Sequence, residues 1–508
     1  MWTRKRQVRI MKRLFELLWA TSVNASGGDL EVPIHGIFYD SRKVKPGGLF
    51  VAIPGLRTDG HRFLNDALAR GAAAVVVEKR ESVPPGVTWV QVPNCRQALG
   101  DLAAAFFDYP ARSLRLYGVT GTNGKTTTTF LIRAVLEAGG ARCGLVGTVG
   151  VRMGQQWLPA ERTTPEASDL QEVLARMREA GLGAAVMEVS SHALELERVR
   201  GCGFDVGVFT NLTPDHLDFH PDLESYLAAK ARLFRLLDPE RPGRQYAVLN
   251  ADDPASAELA AVTRVPVVTY GLGEEARVRG ENLELAPEGA NFEVLWPGGR
   301  TRVRLKLTGR FNVYNALAAW AVGWQEEMPP ELISSALAGV SGVPGRFERV
   351  EAGQDFTVLV DYAHTPDGLA KVLEAARALT RGRLILVFGC GGDRDRSKRP
   401  QMGAIAARNS DLTVITSDNP RSEDPGRIIE EILSGFLPLR RNNYWVEPDR
   451  YRAIALALSL AGRDDLVLIA GKGHETYQII GDKVLPFDDR EVVRAILSGR
   501  SHATGCNR

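Results

Sequence analysis

Residues 114–140 read LRLYGVTGTNGKTTTTFLIRAVLEAGG. An apolar run enters a glycine-rich turn, and a segment with apolar residues at 130, 131, 135 and 136 follows, the spacing of one helix face. Strand, tight turn and helix in that order commit the region to an α/β arrangement. Gly121 and Gly124 let the backbone approach an anion closely, and the N–H groups at the helix start point at it. Lys125 is placed to reach the β- and γ-phosphates of a nucleotide, and the Thr126 hydroxyl to bind Mg²⁺. The pattern is G-x-x-G-K-T, with Val119 where a general phosphate loop has its first glycine. A chance glycine-rich turn would not explain the position between strand and helix. Phosphate binding alone leaves the reaction open.

The same alternation runs through most of the chain. Residues 1–112 hold short strands such as GLFVAI and AAAVVVE between Gly and Pro turns. Residues 113–345 alternate strands (GAAVMEVS, DVGVFTN, YAVLNADD) with helices, and residues 346–508 do so again (FTVLVDYAH, RLILVFGCGG, DLTVITSDNP, LVLIAGKGH). This predicts three α/β domains with mostly parallel sheets, about the number that 508 residues allow. SGVPGRF (341–347) suits a hinge between the second and third.

With 63 basic and 61 acidic residues, nothing in the charge balance calls for nucleic acid or a membrane surface. No 18-residue uncharged apolar stretch exists to span a membrane. The five cysteines (95, 143, 202, 390, 506) form no C-x-x-C pair, which fits a reduced, cytoplasmic setting. The N-terminus reads as a basic leader of about a dozen residues before an amphipathic helix, because Glu16 interrupts the apolar segment an export signal needs. A monomer acting on small molecules is expected.

Two polar clusters follow strand-like runs. One holds Glu188, Ser190, Ser191 and His192, the other Asn211, Asp215, His216, Asp218 and His220. Ligands of parallel sheets sit beyond the carboxyl ends of strands, so both clusters are expected beside the phosphate loop. His216 and His220 are four apart, but Pro221 interrupts any helix onward and no thiol accompanies them. Mg²⁺ held by a carboxylate and nucleotide phosphates is the better expectation. Residues 222–239 read as a helix capped by Asp222, with an inward stripe of Leu223, Tyr226, Leu227, Leu233, Phe234 and Leu237. Lys230 falls on that stripe. Either its stem snorkels, or it is held at a functional site where burial alters its chemistry.

Taken together, GTNGKTTT, MEVSSHAL, FTNLTPDHLDFH followed by AAK, GRFNVYNALAA, DYAHTPDGL and AGKGHE resemble the Mur ligases, in order and over about residues 34–490. Within that family the chain is most similar to members that add the third residue to UDP-N-acetylmuramoyl-L-alanyl-D-glutamate. The resemblance implies a UDP-substrate domain (1–112), an ATPase domain (113–345) and a Rossmann-like amino-acid domain (346–508). It implies ATP-driven amide formation through an acyl phosphate. By residue, Gly121, Thr122, Asn123, Gly124, Lys125, Thr126 and Thr127 would hold ATP, with Asn312, Arg346, Asp361 and His364 approaching the nucleotide. Thr126, Glu188, His216 and a carbamylated Lys230 would serve Mg²⁺, and Lys125, Glu188, His216 and Lys230 would be catalytic. Tyr39, Ser41, Leu56, Arg57, Thr58, Thr163, Thr164, Ser190 and Arg198 would contact the UDP-substrate. Arg162 and Leu196 depart from the family pattern at that site.

The stretch TSDNPRSEDP (416–425) takes its meaning from the same resemblance. Asp418, Asn419, Pro420 and Arg421 match the signature of meso-diaminopimelate enzymes, with Arg394, Gly471 and Glu475 completing the pocket. An arginine offers a rigid fork for the far carboxylate that lysine lacks, and Pro420 stiffens the turn carrying it. Asp418 and Asn419 could orient the loop or bind ammonium groups. Alternatives are a folylpolyglutamate synthase, which leaves DSRKVKPGGLFVAIPG without a role; a sister ligase adding D-Ala-D-Ala, which should lack DNPR; and a non-catalytic nucleotide-binding scaffold, which intact Lys125, Glu188 and Lys230 oppose.

Overall fold

The computed structural model describes residues 10–55, 58–216 and 219–499. Its strands gather into three principal sheets that follow one another along the chain. The first has five strands, in the order Ala25–Gly27, Trp89–Gln91, Ala72–Val77, Gly48–Val51 and Gly36–Phe38. All its pairs are parallel except the first. Helix Cys95–Phe106 covers one face with Ala98, Leu99 and Leu102.

The second sheet has eleven strands. Its centre is the parallel set Cys143–Gly147, Ala184–Glu188, Arg115–Thr120, Val206–Phe209, Tyr246–Asn250 and Val267–Gly271. Alternation along Arg115–Thr120 sends Tyr117 and Val119 into one core and Leu116 into the other, so both faces are covered. Helices Lys125–Ala138 and Arg310–Gln325 pack on the first face, with Trp320 fully buried. One departure from the expected strand–helix alternation is an antiparallel meander, Val278–Ala286, Gly289–Trp296 and Gly299–Leu305. Its turns are too short for a crossover helix, so its strands pair as hairpins.

The third sheet orders Glu348–Arg349, Thr357–Asp361, Leu466–Ala470, Leu384–Phe388, Leu412–Ile415 and Tyr444–Val446, all parallel beyond the first pair. Its carboxyl ends bring Asp361, Cys390, Asp418 and Gly471 to one side. The segment 341–347 is a loop, but Gly345 is closely packed: a Cβ there would lie 2.0 Å from the His474 nitrogen.

Helix Leu223–Arg235 has the Asp222 cap expected, the side chain accepting from the Ser225 N–H. Tyr226, Leu227, Lys230, Leu233 and Phe234 face inward. Leu223 does not: it is 41% exposed, because the first residue of the helix precedes the turns that meet the sheet. Leu237 is buried just past the helix end. Cysteines 95, 143, 202 and 390 are buried and free, and Cys506 lies outside the described residues. Among the described residues no helix is long and apolar enough to cross a membrane.

Candidate active site

The phosphate loop is shaped by its two glycines. Gly121 has φ +145°, and a Cβ there would meet the Thr210 hydroxyl at 1.9 Å; Gly124 has φ +85°, with Asn315 Oδ1 2.5 Å from its missing Cβ. Neither position admits a side chain. The neighbouring strand end braces the loop, since the Thr122 N–H donates to the Asn211 carbonyl (2.8 Å) and the Asn123 N–H to Asn211 Oδ1 (3.0 Å). Thr127 is buried behind the loop. Lys125 Nζ donates to the Gly121 and Thr122 carbonyls (2.9 and 2.7 Å), folding back over the cradle. Desolvation lowers its pKa, while Glu188 and Asp215 oppose the shift.

Glu188 is the anionic centre. It is 1% exposed and accepts from the Thr126 hydroxyl (3.0 Å), the Thr148 N–H (2.8 Å) and the Thr148 hydroxyl (3.0 Å). Gly147 must lack a side chain, because a Cβ would stand 2.3 Å from Glu188 Oε1. Thr126 and Glu188 are thus in contact, as an Mg²⁺ site with few protein ligands requires. Among the described residues no group of three or more His, Cys, Asp or Glu side chains could hold a metal alone.

His216 and Lys230 meet elsewhere, around Tyr226. The Lys230 ammonium lies 3.9 Å from the Tyr226 ring centroid, and the His216 ring 6.1 Å from it. His192 and His220 complete this aromatic nest. Lys230 is 1% exposed, and its pKa is lowered well below the ordinary lysine range, by burial first and then by Lys125, against the pull of Asp215. Asp218 lies outside the described residues.

The third sheet closes onto the loop. Arg346 Nη2 donates to the Thr126 hydroxyl (3.0 Å), its guanidinium lies 4.8 Å from the Tyr362 ring centroid, and its buried Nε has no hydrogen-bond partner. An unmatched cationic donor beside the cradle fits an incoming phosphate. Asp361 accepts the Phe347 and Ala363 N–H groups (both 2.7 Å), yet burial raises its pKa, against Arg346 and those same bonds. His364 is pushed down to about 4 by burial and by Lys398, and its Nδ1 lies 2.7 Å from the Tyr362 carbonyl. Asn312 is engaged internally: it donates to the Thr308 carbonyl (2.8 Å) and accepts from Asn315 (3.0 Å). Asn315, three residues on in the same motif, is the residue against Gly124 and went unread in the sequence.

Toward the first sheet, Thr163 bonds Thr148 (3.0 Å), and Thr164 donates to the Glu188 carbonyl (2.8 Å). These contacts join the expected UDP-substrate residues to the Glu188 centre. Ser190 caps its helix through the Ala193 N–H (3.2 Å), and Tyr39 donates to Asp169 (2.8 Å). Ser41 is buried and Thr58 exposed, while Leu56 and Arg57 lie outside the described residues. Arg198 is held by Glu166 at 2.8 Å, which Arg162 also contacts. Leu196 is half-buried just before it. Glu166 carried no sequence signal of its own.

The DNPR loop lies at the end of strand Leu412–Ile415. Asp418 and Asn419 are buried. Arg421 has φ +54°, a conformation costing an ordinary residue on the order of 1–2 kcal/mol. Backbone bonds hold it there, from its N–H to the Ile479 carbonyl (3.1 Å) and from the Gly481 N–H to its own carbonyl (2.7 Å). Its Nη1 donates to the Gly392 carbonyl (2.7 Å), with Arg394 in the same loop. Lys472, fully buried and missed in the sequence although it stands inside AGKGHE, donates to Asn419 Oδ1 (3.1 Å) and Glu475 (3.0 Å). Asp418 Oδ1 is buried without a hydrogen-bond partner, with the Lys472 ammonium 3.7 Å away as its ion-pair partner, and Gly471 (φ +115°) packs beside that carboxylate. The loop thus carries a buried carboxylate and an arginine, the two charge types that a zwitterionic ligand would meet.

Three family descriptions cover the chain in succession: Mur ligase family, catalytic domain (residues 33–107); Mur ligase middle domain (119–323); and Mur ligase, glutamate ligase domain (345–473). The chain belongs to the Mur ligase family. It is an ATP-dependent ligase that forms amide bonds. A UDP-N-acetylmuramoyl-L-alanyl-D-glutamate–2,6-diaminopimelate ligase of Syntrophomonas wolfei is 48% identical over 96% of this chain and 99% of the relative. One so named from Gloeobacter violaceus is 51% identical over 96% and 98%. A solved structure of a ligase with that name has a TM-score of 0.68 at 33% identity, covering 96% of this chain and 99% of the other. A folylpolyglutamate synthase of Mycobacterium tuberculosis shares the fold at 18% identity, with a TM-score of 0.62 over 78% of this chain and 94% of the other.

Proposed function

We propose that this enzyme joins meso-diaminopimelate to the D-glutamyl carboxylate of UDP-N-acetylmuramoyl-L-alanyl-D-glutamate, forming ADP and phosphate in cytoplasmic peptidoglycan precursor synthesis. The observation that supports the choice of amino acid is the presence on one loop of the buried Asp418 carboxylate and of Arg421, held in place by its bond to the Gly392 carbonyl. A carboxylate is a poor electrophile, and transfer of the γ-phosphoryl group to it makes the acyl phosphate that an amine can attack. The residues of the phosphate loop bind and orient ATP, Lys125 swinging from the Gly121 and Thr122 carbonyls onto the phosphates. Thr126 and Glu188 would hold Mg²⁺, which when bound neutralises phosphate charge. Arg346 adds a donor from the third domain. Asp418 grips an ammonium group and Arg421 the distal carboxylate. Loss of phosphate from the tetrahedral intermediate completes the amide, and closure of the third domain keeps water from the acyl phosphate.

Carbamylation of Lys230 belongs to the same reading. Burial lowers its pKa and so favours the neutral amine, the form that attacks carbon dioxide, and the resulting carbamate would place an anion beside the Tyr226 ring. The test of the whole reading is a ligation assay with ATP, Mg²⁺ and the UDP-dipeptide, offering meso-diaminopimelate, L-lysine and L-ornithine separately. Tripeptide from diaminopimelate far above the other two is expected. Equal or greater use of lysine refutes the substrate choice, and no phosphate release with any of them refutes ligation.

A further inference from the structure

The hairpin Tyr477–Ile480/Lys483–Pro486 stands apart from the three sheets and has no part in the family motifs read above. It is nonetheless stitched to the DNPR loop. Gln478 is buried and donates to the Asp418 carbonyl (2.8 Å), and the Ile479 N–H donates to Asn419 Oδ1 (3.0 Å). Arg421 bridges Ile480 in parallel fashion, fixed from both sides by the backbone bonds already described. The first strand of the hairpin therefore acts as a splint for the recognition loop.

Tyr477 opens that strand. Alternation turns it away from buried Gln478 and leaves it 38% exposed. Lys472, which holds Asn419 and Glu475, has its ammonium 5.6 Å from the Tyr477 ring centroid. The charges acting on the phenol are those of Glu475, Arg421, Asp418 and Arg394, four residues assigned above to the amino-acid pocket. Burial, then Glu475, raises its pKa, so it remains a proton donor.

We propose that Tyr477 is a further specificity-determining residue, its hydroxyl donating a hydrogen bond to the distal carboxylate of the incoming amino acid alongside Arg421. The inference rests on the functional reading above. L-Lysine lacks that carboxylate and cannot use the bond, so the hydroxyl separates the two amino acids.

The experiment compares wild type with Tyr477→Phe, which keeps the ring. It measures kcat/KM for meso-diaminopimelate and for L-lysine, and KM for ATP. The variant is expected to lose about tenfold in kcat/KM for diaminopimelate, the measure of one hydrogen bond to a charged group. Use of lysine and KM for ATP should stay within about twofold, as no bond is lost there. Unchanged kcat/KM for diaminopimelate, or an equal fall for both amino acids, overturns the role of Tyr477 while leaving the ligase reading intact. Wild type that makes no tripeptide from diaminopimelate overturns that reading and this inference with it.

Discussion

Lys230 shows how far a single residue can be read. Helical spacing alone put it on the inward stripe, and it is buried there over the Tyr226 ring. Burial made its chemistry a question, and under the proposed carbamate role Lys230→Ala is expected to lower kcat by up to about a hundredfold, as loss of a group ordering a metal centre would. Short carboxylic acids should restore part of that by supplying the missing anion, and steady-state turnover with and without them is the check. Full activity in the unrescued variant would remove Lys230 from the mechanism. Lys472 is as deeply buried, yet no helical or strand periodicity announced it, because it stands in a loop and is held both by Glu475 three residues on and by Asn419 from another strand end. His364 gives a pH dependence. Burial and Lys398 hold it at about 4, against about 6.5 unfolded, so the unfolded chain binds more protons between those values. Its effect on stability is therefore nil above about pH 6.5 and destabilising as pH falls toward 4. Urea midpoints at pH 7 and 5 should fall less steeply for His364→Asn than for wild type, and parallel slopes would contradict the assignment.

At the scale of elements, β-branched runs ending in polar clusters made the parallel strands legible, since strands buried on both faces read as continuous apolar segments. The meander at 278–305 went unread, although TRVRLKL (301–307) alternates polar and apolar residues as a half-buried strand does, because the helix-linked parallel strands around it set the expectation. Nor was the pair Arg450–Asp489, two fully buried charges 39 residues apart that link helices Arg450–Leu460 and Asp489–Leu497 through bonds of 2.8 and 2.7 Å. Arg450 also donates to the Ala470 carbonyl (3.0 Å), at the strand end that leads into the amino-acid pocket. Arg450→Met strands the Asp489 carboxylate in the core and is expected to cost roughly 3–5 kcal/mol. Pairing it with Asp489→Leu should recover most of the loss, because the uncompensated charge goes as well. Thermal unfolding of both variants tests this, and a double variant no more stable than the single one would place the cost in packing.

The whole molecule is organised around one seam. The central and third sheets meet where Arg346 reaches Thr126 and where Asp367 Oδ2 accepts from Asn123 Nδ2 (3.0 Å) and the Thr213 hydroxyl (2.9 Å). Asn123 and Thr213 belong to the phosphate loop and the strand end bracing it, so Asp367, in the first turn of helix Pro366–Leu379, latches the third domain over the place where an acyl phosphate would form. Such an intermediate survives only if water is kept out, which ties the latch to coupling more than to binding. Asp367→Ala removes the shared acceptor but leaves every proposed substrate contact in place. The expected outcome is phosphate release that outruns tripeptide formation, with a ratio near one in wild type and well above one in the variant, while KM for diaminopimelate changes little. Counting phosphate and tripeptide in the same reaction gives the ratio directly. A ratio that stays at one while the overall rate falls would mean that Asp367 aligns the reacting groups without guarding the intermediate.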